Sequence, residues 1–336
     1  MNWIGPLARQ HHQAAPHQTL TVGLVNNASD RALASTERQF LALLRPPPPG
    51  IDLRVRFFTC PTIRRAGLPR SSLGHPYAPI DELYDTCPDA LVVTGMEPQA
   101  PTLPQEPIWR DLTRLADWAE DRSIPVLWSC LAAHAAVLHR DGIARTRLPE
   151  KLSGIFPCHV AAPQHRLMAG LPPSWSTPHS RHYDLNPDAL VAGGYRILLH
   201  APQAAATMFH KSGGMCLFIQ GHPEYGADTL LREYRRDMRR FLAGERNDVP
   251  APPRHCLPQA TEAALDALRP DAARLRHAST TVLGTMDAVL RDQVPPNTWH
   301  AHAIRLYANW LNAIADRDHA GPNRTASAIN APGPIH

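Results

Sequence analysis

The sequence predicts an α/β fold in which helices cover a parallel sheet, followed by a helical extension at the C-terminal end. Short apolar runs rich in β-branched residues alternate with longer amphipathic runs over residues 19–142, which is the pattern of strands and helices in a parallel sheet. Hydrophobic residues make up 43% of the chain and charged residues 19%, a mix typical of globular proteins.

The first elements are two strands with a helix between them. The apolar run Thr19–Asn27 predicts a buried strand, and Ser35–Leu44 predicts a helix whose Ser-Thr-Glu start resembles a capping box. The prolines at 46–49 end this helix. Residues 51–60 alternate as a second strand, and residues 61–85, rich in Pro, Gly and Arg, predict a long surface loop.

The next elements repeat the strand–helix pattern. Asp89–Gly95 and Ile124–Cys130 predict buried strands, and Pro107–Asp121 and Leu131–Gly142 predict helices. Farther along, Met215–Gly221 predicts another strand, entered through a Ser-Gly-Gly turn, and Ala227–Gly244 predicts an Arg-rich amphipathic helix.

These elements divide the 336-residue chain into five segments. We expect the α/β domain, with its candidate catalytic residues, to span residues 19–246. The other segments are a flexible arm (1–18), a Pro-rich linker with a helical insertion (247–298), a C-terminal helix packed on the domain (299–317) and a disordered tail (318–336).

Composition excludes several classes of protein. The net charge of +4 is too weak and dispersed to indicate nucleic-acid binding, and no apolar run approaches the roughly 20 residues that span a membrane. The N-terminus lacks the apolar region of a secretory signal, and six scattered cysteines without framework spacing are typical of a cytoplasmic protein with reduced thiols. The histidines show no ligand spacing, so we expect no metal.

Cys130 is the candidate nucleophile, because it lies where a predicted buried strand meets a helix. Such a turn raises a side chain above the carboxyl end of the sheet, and the helix N-terminus favours a thiolate there. The alternative is that Cys130 is a small buried apolar residue, as most cysteines are.

His222 and Glu224 follow another predicted strand, in the sequence Gly-His-Pro-Glu-Tyr. A thiol nucleophile needs a histidine base, and the histidine needs a carboxylate to orient it. The motif alone is weak, but together with Cys130 at the end of another strand it favours a Cys–His–Glu site.

Several motifs in order resemble the homoserine O-acyltransferase family, of the homoserine O-succinyltransferase type. The resemblance covers most of the chain and returns in the C-terminal helix at Trp299–Asp316. The motifs are VTG (Val93–Gly95), WSCLAAHA (Trp128–Ala135), PEKLSGIF (Pro149–Phe156), TPHSR (Thr177–Arg181) and QGHPEY (Gln220–Tyr225).

The resemblance implies a flavodoxin-like fold of the class I glutamine amidotransferase type, and an enzyme of methionine biosynthesis that transfers an acyl group from acyl-CoA to L-homoserine. It implies that Cys130 carries the acyl thioester, that His222 is the general base and that Glu224 is its carboxylate partner. Acyl-CoA would be a co-substrate, with no bound cofactor. The partners implied are small molecules, and a homodimer is left open.

The resemblance also implies three substrate-binding residues. Lys151, one of only two lysines among 34 basic residues, matches a substrate-binding lysine, and Ser180 matches a substrate-contacting serine. Arg236 matches an arginine that holds the amino-acid carboxylate, a task that suits a planar guanidinium. In the implied ping-pong mechanism, backbone N–H groups of Met96 and Leu131 stabilise the oxyanion.

Gln99 occupies the position that tracks the acyl donor in the family, where Gly accompanies succinyl-CoA and Glu accompanies acetyl-CoA. The uncharged amide can donate to a succinyl carboxylate, whereas its volume favours the smaller acetyl group. Glu97 would oppose succinyl binding if it pointed inward. We expect a succinyl donor, with acetyl-CoA as the alternative and with serine as an alternative acceptor.

Two further alternatives remain at this point. A glutamine amidotransferase uses the same Cys–His–Glu chemistry, but such domains usually have Gly on both sides of the nucleophile, where this chain has Trp128 and Ala132. A non-catalytic relative is the other alternative, and the presence of all the site residues argues against it.

Overall fold

The first half of the sheet forms because apolar, β-branched segments pair in parallel. In the computed structural model, which describes residues 18–67, 69–71, 73–211, 216–274 and 279–320, a ten-stranded sheet is flanked by helices. The parallel strands are β1 (Gln18–Val25), β2 (Ile51–Thr59), β3 (Ala78–Pro79), β4 (Ala90–Val93), β5 (Val126–Ser129) and β10 (Cys216–Ile219).

Four strands that the sequence did not predict extend the sheet beyond β10. They are β6 (Thr146–Val160), β7 (Ser174–Asp184), β8 (Tyr195–Ala201) and β9 (Ala205–Lys211). All of their pairings are antiparallel, and the complete order is β3-β2-β1-β4-β5-β10-β9-β8-β6-β7. The prediction of an α/β sheet flanked by helices is confirmed, but only six of the ten strands belong to its parallel part.

The helices cover the sheet with apolar faces. Those of the parallel part are α1 (Asp30–Leu44), α2 (Ile80–Thr86), α3 (Trp109–Asp121) and α4 (Leu131–Asp141), and a short α5 (Pro187–Ala192) follows β7. The first begins at Asp30 with Ser29 as its N-cap, so the start predicted at Ser35 was wrong by five residues. The segment 61–85, predicted as a loop, includes β3 and most of α2.

The remaining helices form the C-terminal part of the chain. They are α6 (Thr229–Leu242), α7 (Gln259–Ala267), α8 (Arg269–Arg274), α9 (Ser279–Val289) and α10 (His300–Ala320). Apolar residues of α7, α9 and α10, among them Leu265, Met286 and Trp310, are buried in the same core cluster as Tyr234 of α6. The segment after residue 246 therefore packs on the α/β sheet and on α6. Residue 18, predicted in the arm, begins β1, and residues 318–320, predicted in the tail, belong to α10. The rest of the predicted arm, the Ser-Gly-Gly turn and the rest of the predicted tail lie outside the described residues.

Candidate active site

A cleft with a cavity volume of about 640 Å³ opens where the parallel strands β4, β5 and β10 end. Ligands of open α/β sheets bind at this edge, because the loops after the strands converge there. All nine residues that the sequence analysis singled out line the cleft: Met96, Gln99, Cys130, Leu131, Lys151, Ser180, His222, Glu224 and Arg236.

Cys130 forms the turn between β5 and α4. Its backbone has φ 50° and ψ −116°, a region that a residue with a Cβ rarely adopts and that stores strain. The turn is held in place because the Cys130 N–H donates to the Ile219 carbonyl at 2.8 Å, and the Cys130 carbonyl accepts from the His134 N–H at 3.1 Å. The thiol is thereby presented, half-buried, at the N-terminus of α4.

Gly95 brings the loop after β4 against this turn. A Cβ on Gly95 would lie 2.9 Å from both the Cys130 Cβ and the Ser129 carbonyl oxygen, and 3.0 Å from the Leu131 nitrogen. The loop is fixed from the other side by Asn27, whose backbone N–H and amide each bond Thr94 at 2.8 Å. The first-turn N–H of Leu131, which no helical carbonyl can accept, thus lies beside the loop that begins with Gly95 and Met96.

His222 and Glu224 form a buried pair after β10. The His222 Nδ1 lies 2.8 Å from the Glu224 Oε1, and both side chains are at most 10% exposed. Burial alone would lower the pKa of His222, but the charges of Glu224 and of the Cys130 thiolate outweigh it and raise this pKa well above its usual value. The Glu224 carboxylate therefore stabilises the protonated form of His222.

The Tyr225 ring fixes the plane of that imidazole. The two rings stack with centroids 4.3 Å apart and planes 20° apart, and the Tyr225 hydroxyl donates to Glu233 Oε1 at 2.7 Å. The Nε2 of His222 makes no hydrogen bond of normal length within the described residues. Such contacts are often loose without substrate, so this nitrogen is available to the reacting groups.

Beyond Tyr225, the cleft is lined by a network of charged side chains from β6, β7 and α6. Lys151 donates to Asp237 Oδ2 at 2.9 Å and to Glu233 Oε2 at 3.3 Å, and the Ser180 hydroxyl also donates to Glu233. Arg236 Nε and Nη2 bind the Asp237 carboxylate at 2.9 and 2.8 Å. Its guanidinium remains 45% exposed, so it can also reach a ligand.

Charge pairing sets the protonation of this network. Burial opposes the ionised form of every member, yet the nearby carboxylates raise the pKa of Lys151 and the cations lower that of Asp237 to about 2. The pKa of Glu233 is also lowered, because Lys151 and the Ser180 hydroxyl outweigh its burial. The network is therefore ionised at neutral pH.

Glu97 and Gln99, on the loop after β4, are both exposed. The Glu97 carboxylate is bound by Arg240 of α6 at 2.8 and 2.9 Å, so its charge is matched across the cleft. The Gln99 backbone N–H donates to Glu106 Oε2 at 2.9 Å. The loop after β4 is thus held by hydrogen bonds at two points, Glu97 and Gln99.

The sequence analysis missed four residues of the site. Glu233 and Asp237 are four apart on α6, a spacing that places both carboxylates on one helix face, and this pattern around Arg236 could have found them. Tyr225 directly follows Glu224 in the QGHPEY motif. His134, four residues after Cys130, is buried and bonds Gln220 at 2.7 Å; burial lowers its pKa to about 3, so it is a neutral structural residue.

Within the described ranges, no group of three or more His, Cys, Asp and Glu side chains is arranged to hold a metal ion. None of the helices in that part of the chain is both long and apolar enough to cross a membrane.

Comparison with known proteins gives consistent matches. Residues 4–320 match the family model described as homoserine O-succinyltransferase. The chain is 42% identical over 308 residues to the homoserine O-succinyltransferase of Rhodopseudomonas palustris, covering 91% of this chain and 92% of that protein. It is 44% identical over 300 residues to the one of Methylorubrum extorquens, covering 89% and 88%.

Among solved structures, the chain is similar to a glutamine amidotransferase from Methylobacillus flagellatus. The TM-score is 0.47 at 14% identity, covering 89% of this chain and 94% of that one. The family model, the relatives and the resemblance of the motifs agree: the chain belongs to the homoserine O-succinyltransferase family.

Proposed function

We propose that this chain transfers the succinyl group of succinyl-CoA to the hydroxyl of L-homoserine through a thioester on Cys130. The observation that carries the proposal is that Cys130, the His222–Glu224 pair and the charged network around Arg236 share one cleft. Family membership supports an acyltransferase of methionine biosynthesis.

In the first half-reaction, the Cys130 thiolate attacks the thioester carbonyl. We assign the stabilisation of the oxyanion to the backbone N–H groups of Leu131 and Met96, because the loop after β4 lies against the Leu131 nitrogen. The carbon–sulfur bond to CoA then breaks, and the departing CoA thiolate takes the proton of the His222 imidazolium. This half-reaction leaves a succinyl-cysteine and a neutral imidazole, whose Nδ1–H still donates to Glu224.

In the second half-reaction, L-homoserine enters with its carboxylate on Arg236. A planar guanidinium suits a carboxylate, and the 45% exposure of this side chain leaves it accessible. Lys151 and Ser180 frame the same end of the cleft. His222 removes the proton of the homoserine hydroxyl as its oxygen attacks the succinyl carbonyl, and Cys130 leaves as the thiolate.

The experiment that tests this proposal is the reaction of the protein with succinyl-CoA in the absence of homoserine. We expect a burst of free CoA and a succinyl adduct on the Cys130 peptide in the mass spectrum, with O-succinylhomoserine released when homoserine is added. Cys130→Ala should abolish the burst, the adduct and the turnover.

Cys87→Ala is the matched control, because Cys87 is exposed and does not line the cleft. It should behave as the unmodified protein. Undiminished turnover by Cys130→Ala would refute the covalent mechanism, and ammonia release from glutamine would instead favour an amidotransferase.

A further inference from the structure

Arg145 is a buried cation in the wall of the cleft, on the loop between α4 and β6. Its side chain is 4% exposed, and its Nη2 lies 3.2 Å from the Oε1 of Glu106, which is itself 1% exposed. The guanidinium carbon lies 3.8 Å from the centre of the Tyr183 ring. This stacking and the ion pair fix the plane of the guanidinium.

The hydrogen-bonding capacity of Arg145 is only partly used. Nη2 donates to Glu106 and, at 3.4 Å, to the Ala100 carbonyl, whereas Nε and Nη1 are buried without a hydrogen-bond partner among the described residues. A guanidinium has five N–H donors, and a buried cation with unmet donors is costly. Buried polar groups in folded proteins almost always have a hydrogen-bond partner, and for a group in the wall of a cleft that partner can be a ligand.

Glu106 connects this arginine to the loop after β4. Its Oε1 binds Arg145, and its Oε2 accepts from the backbone N–H of Gln99 at 2.9 Å. Gln99, Arg145 and Cys130 all line the same cleft. The cation therefore lines the same cleft as Cys130 and is joined through Glu106 to the loop that carries Gln99.

We propose that Arg145 binds the free carboxylate of the acyl group and thereby selects a dicarboxylic donor over a simple one. This inference rests on the proposed function and identifies Arg145 as the residue that distinguishes between acyl donors. A guanidinium is suited to a carboxylate because its planar N–H groups match two oxygens. An acetyl group leaves the same N–H groups unpaired, so the site gains nothing from it beyond the thioester.

The test compares three donors: succinyl-CoA, acetyl-CoA and butyryl-CoA, which has the four-carbon length of succinyl without its carboxylate. Arg145→Lys keeps a positive charge against Glu106 but loses the planar fork. We expect kcat/KM for succinyl-CoA to fall by about 10- to 100-fold, the loss of a charge-assisted hydrogen bond. The values for acetyl-CoA and butyryl-CoA should not change.

Arg147→Lys is the matched control, since Arg147 also lies over the Tyr183 ring, at 6.0 Å, but does not line the cleft. It should leave all three donors unchanged. An equal loss of kcat/KM for all three donors in Arg145→Lys would assign Arg145 a structural role. It would overturn this inference and leave the proposed function standing.

The unsubstituted protein supplies a test that needs no variant. It should prefer succinyl-CoA to butyryl-CoA by a similar factor, and equal use of the two donors would overturn the inference even if Arg145→Lys did not fold. Absence of any acyl adduct on Cys130 with all three donors would instead refute the proposed function, and with it this inference.

Discussion

The His222–Glu224 pair offers a quantitative test of the proposed chemistry, through the substitution Glu224→Gln. The glutamine carbonyl can still accept from His222 Nδ1 across the 2.8 Å contact, so the change removes charge and preserves the geometry. The pair is almost fully buried, and a charge-assisted hydrogen bond in such a setting contributes about 1.5–3 kcal/mol. That free energy corresponds to a factor of about 10 to 150 in the population of the thiolate–imidazolium form.

The charge of Glu224 raises the pKa of His222, so its removal lowers that pKa and destabilises the imidazolium. The neutral thiol–imidazole form then gains population. We expect kcat/KM to fall by about 10- to 150-fold at neutral pH, and the basic limb of the pH profile, where His222 loses its proton, to move to lower pH.

The assay is alkylation of Cys130 by iodoacetamide as a function of pH, read peptide by peptide in the mass spectrum. Cys87 is exposed, so its alkylation serves as an internal reference for the reactivity of the reagent in the same sample. Glu120→Gln is the matched control, because Glu120 pairs with Arg140 at 2.6 Å on the protein surface. A pH dependence of Cys130 alkylation in Glu224→Gln equal to that of the unsubstituted protein would refute the ion-pair reasoning.

Two further predictions concern the loop after β4 and the charged network. Gly95→Ala places a Cβ 2.9 Å from the Cys130 Cβ and the Ser129 carbonyl, so we expect a destabilisation of about 1–3 kcal/mol with loss of the acyl burst. Gly67→Ala is the control, because a Cβ at this position has no atom within 4 Å, and it should leave the thermal unfolding and the acyl burst unchanged. Equal behaviour of the two variants would contradict the close contact between Gly95 and the Cys130 turn. The pKa of Asp237 is lowered to about 2 because Lys151 and Arg236 outweigh its burial, so its stabilisation is present above its unfolded pKa and is lost as pH falls through about 2. The free energy of urea unfolding of the unsubstituted protein should fall by roughly 2 kcal/mol between pH 5 and 1 because of this group. Asp237→Asn should be less stable at pH 7 and lose less stability in acid. An equal loss of stability between pH 5 and 1 in the two proteins would contradict the assignment.

The parallel half of the fold was predictable because its strands are short apolar runs with clear ends. The antiparallel half was not, and β6 shows why. This strand contains Pro149, Pro157 and Gly154, its first seven residues are exposed or half-buried, and its pairing partners lie beyond residue 170. Neither alternation nor a continuous apolar run marks it, since long-range pairing decides its conformation.

The site shows the same division between local and long-range information. Cys130 and His222 could be found because each directly follows a recognisable strand. The helical spacing of Glu233 indicates the face of α6 on which it lies but not what that face contacts, and Arg145 resembles an ordinary charged residue in a loop. Their significance comes from partners 53 and 39 residues away, Ser180 and Glu106, which only the folded chain brings into contact.

The residues to which the proposed function assigns different tasks come from different halves of the sheet. The turn that carries Cys130 belongs to the parallel strands, whereas Lys151 and Ser180 belong to the paired strands β6 and β7 at the far edge. Under the proposed function, substitutions at Lys151 and Ser180 would change which alcohol is accepted without altering the strand–helix turn that carries Cys130. Under that proposal, recognition of the acceptor and formation of the thioester depend on residues from different parts of the sheet, so the first can be altered by substitution without replacing the nucleophile.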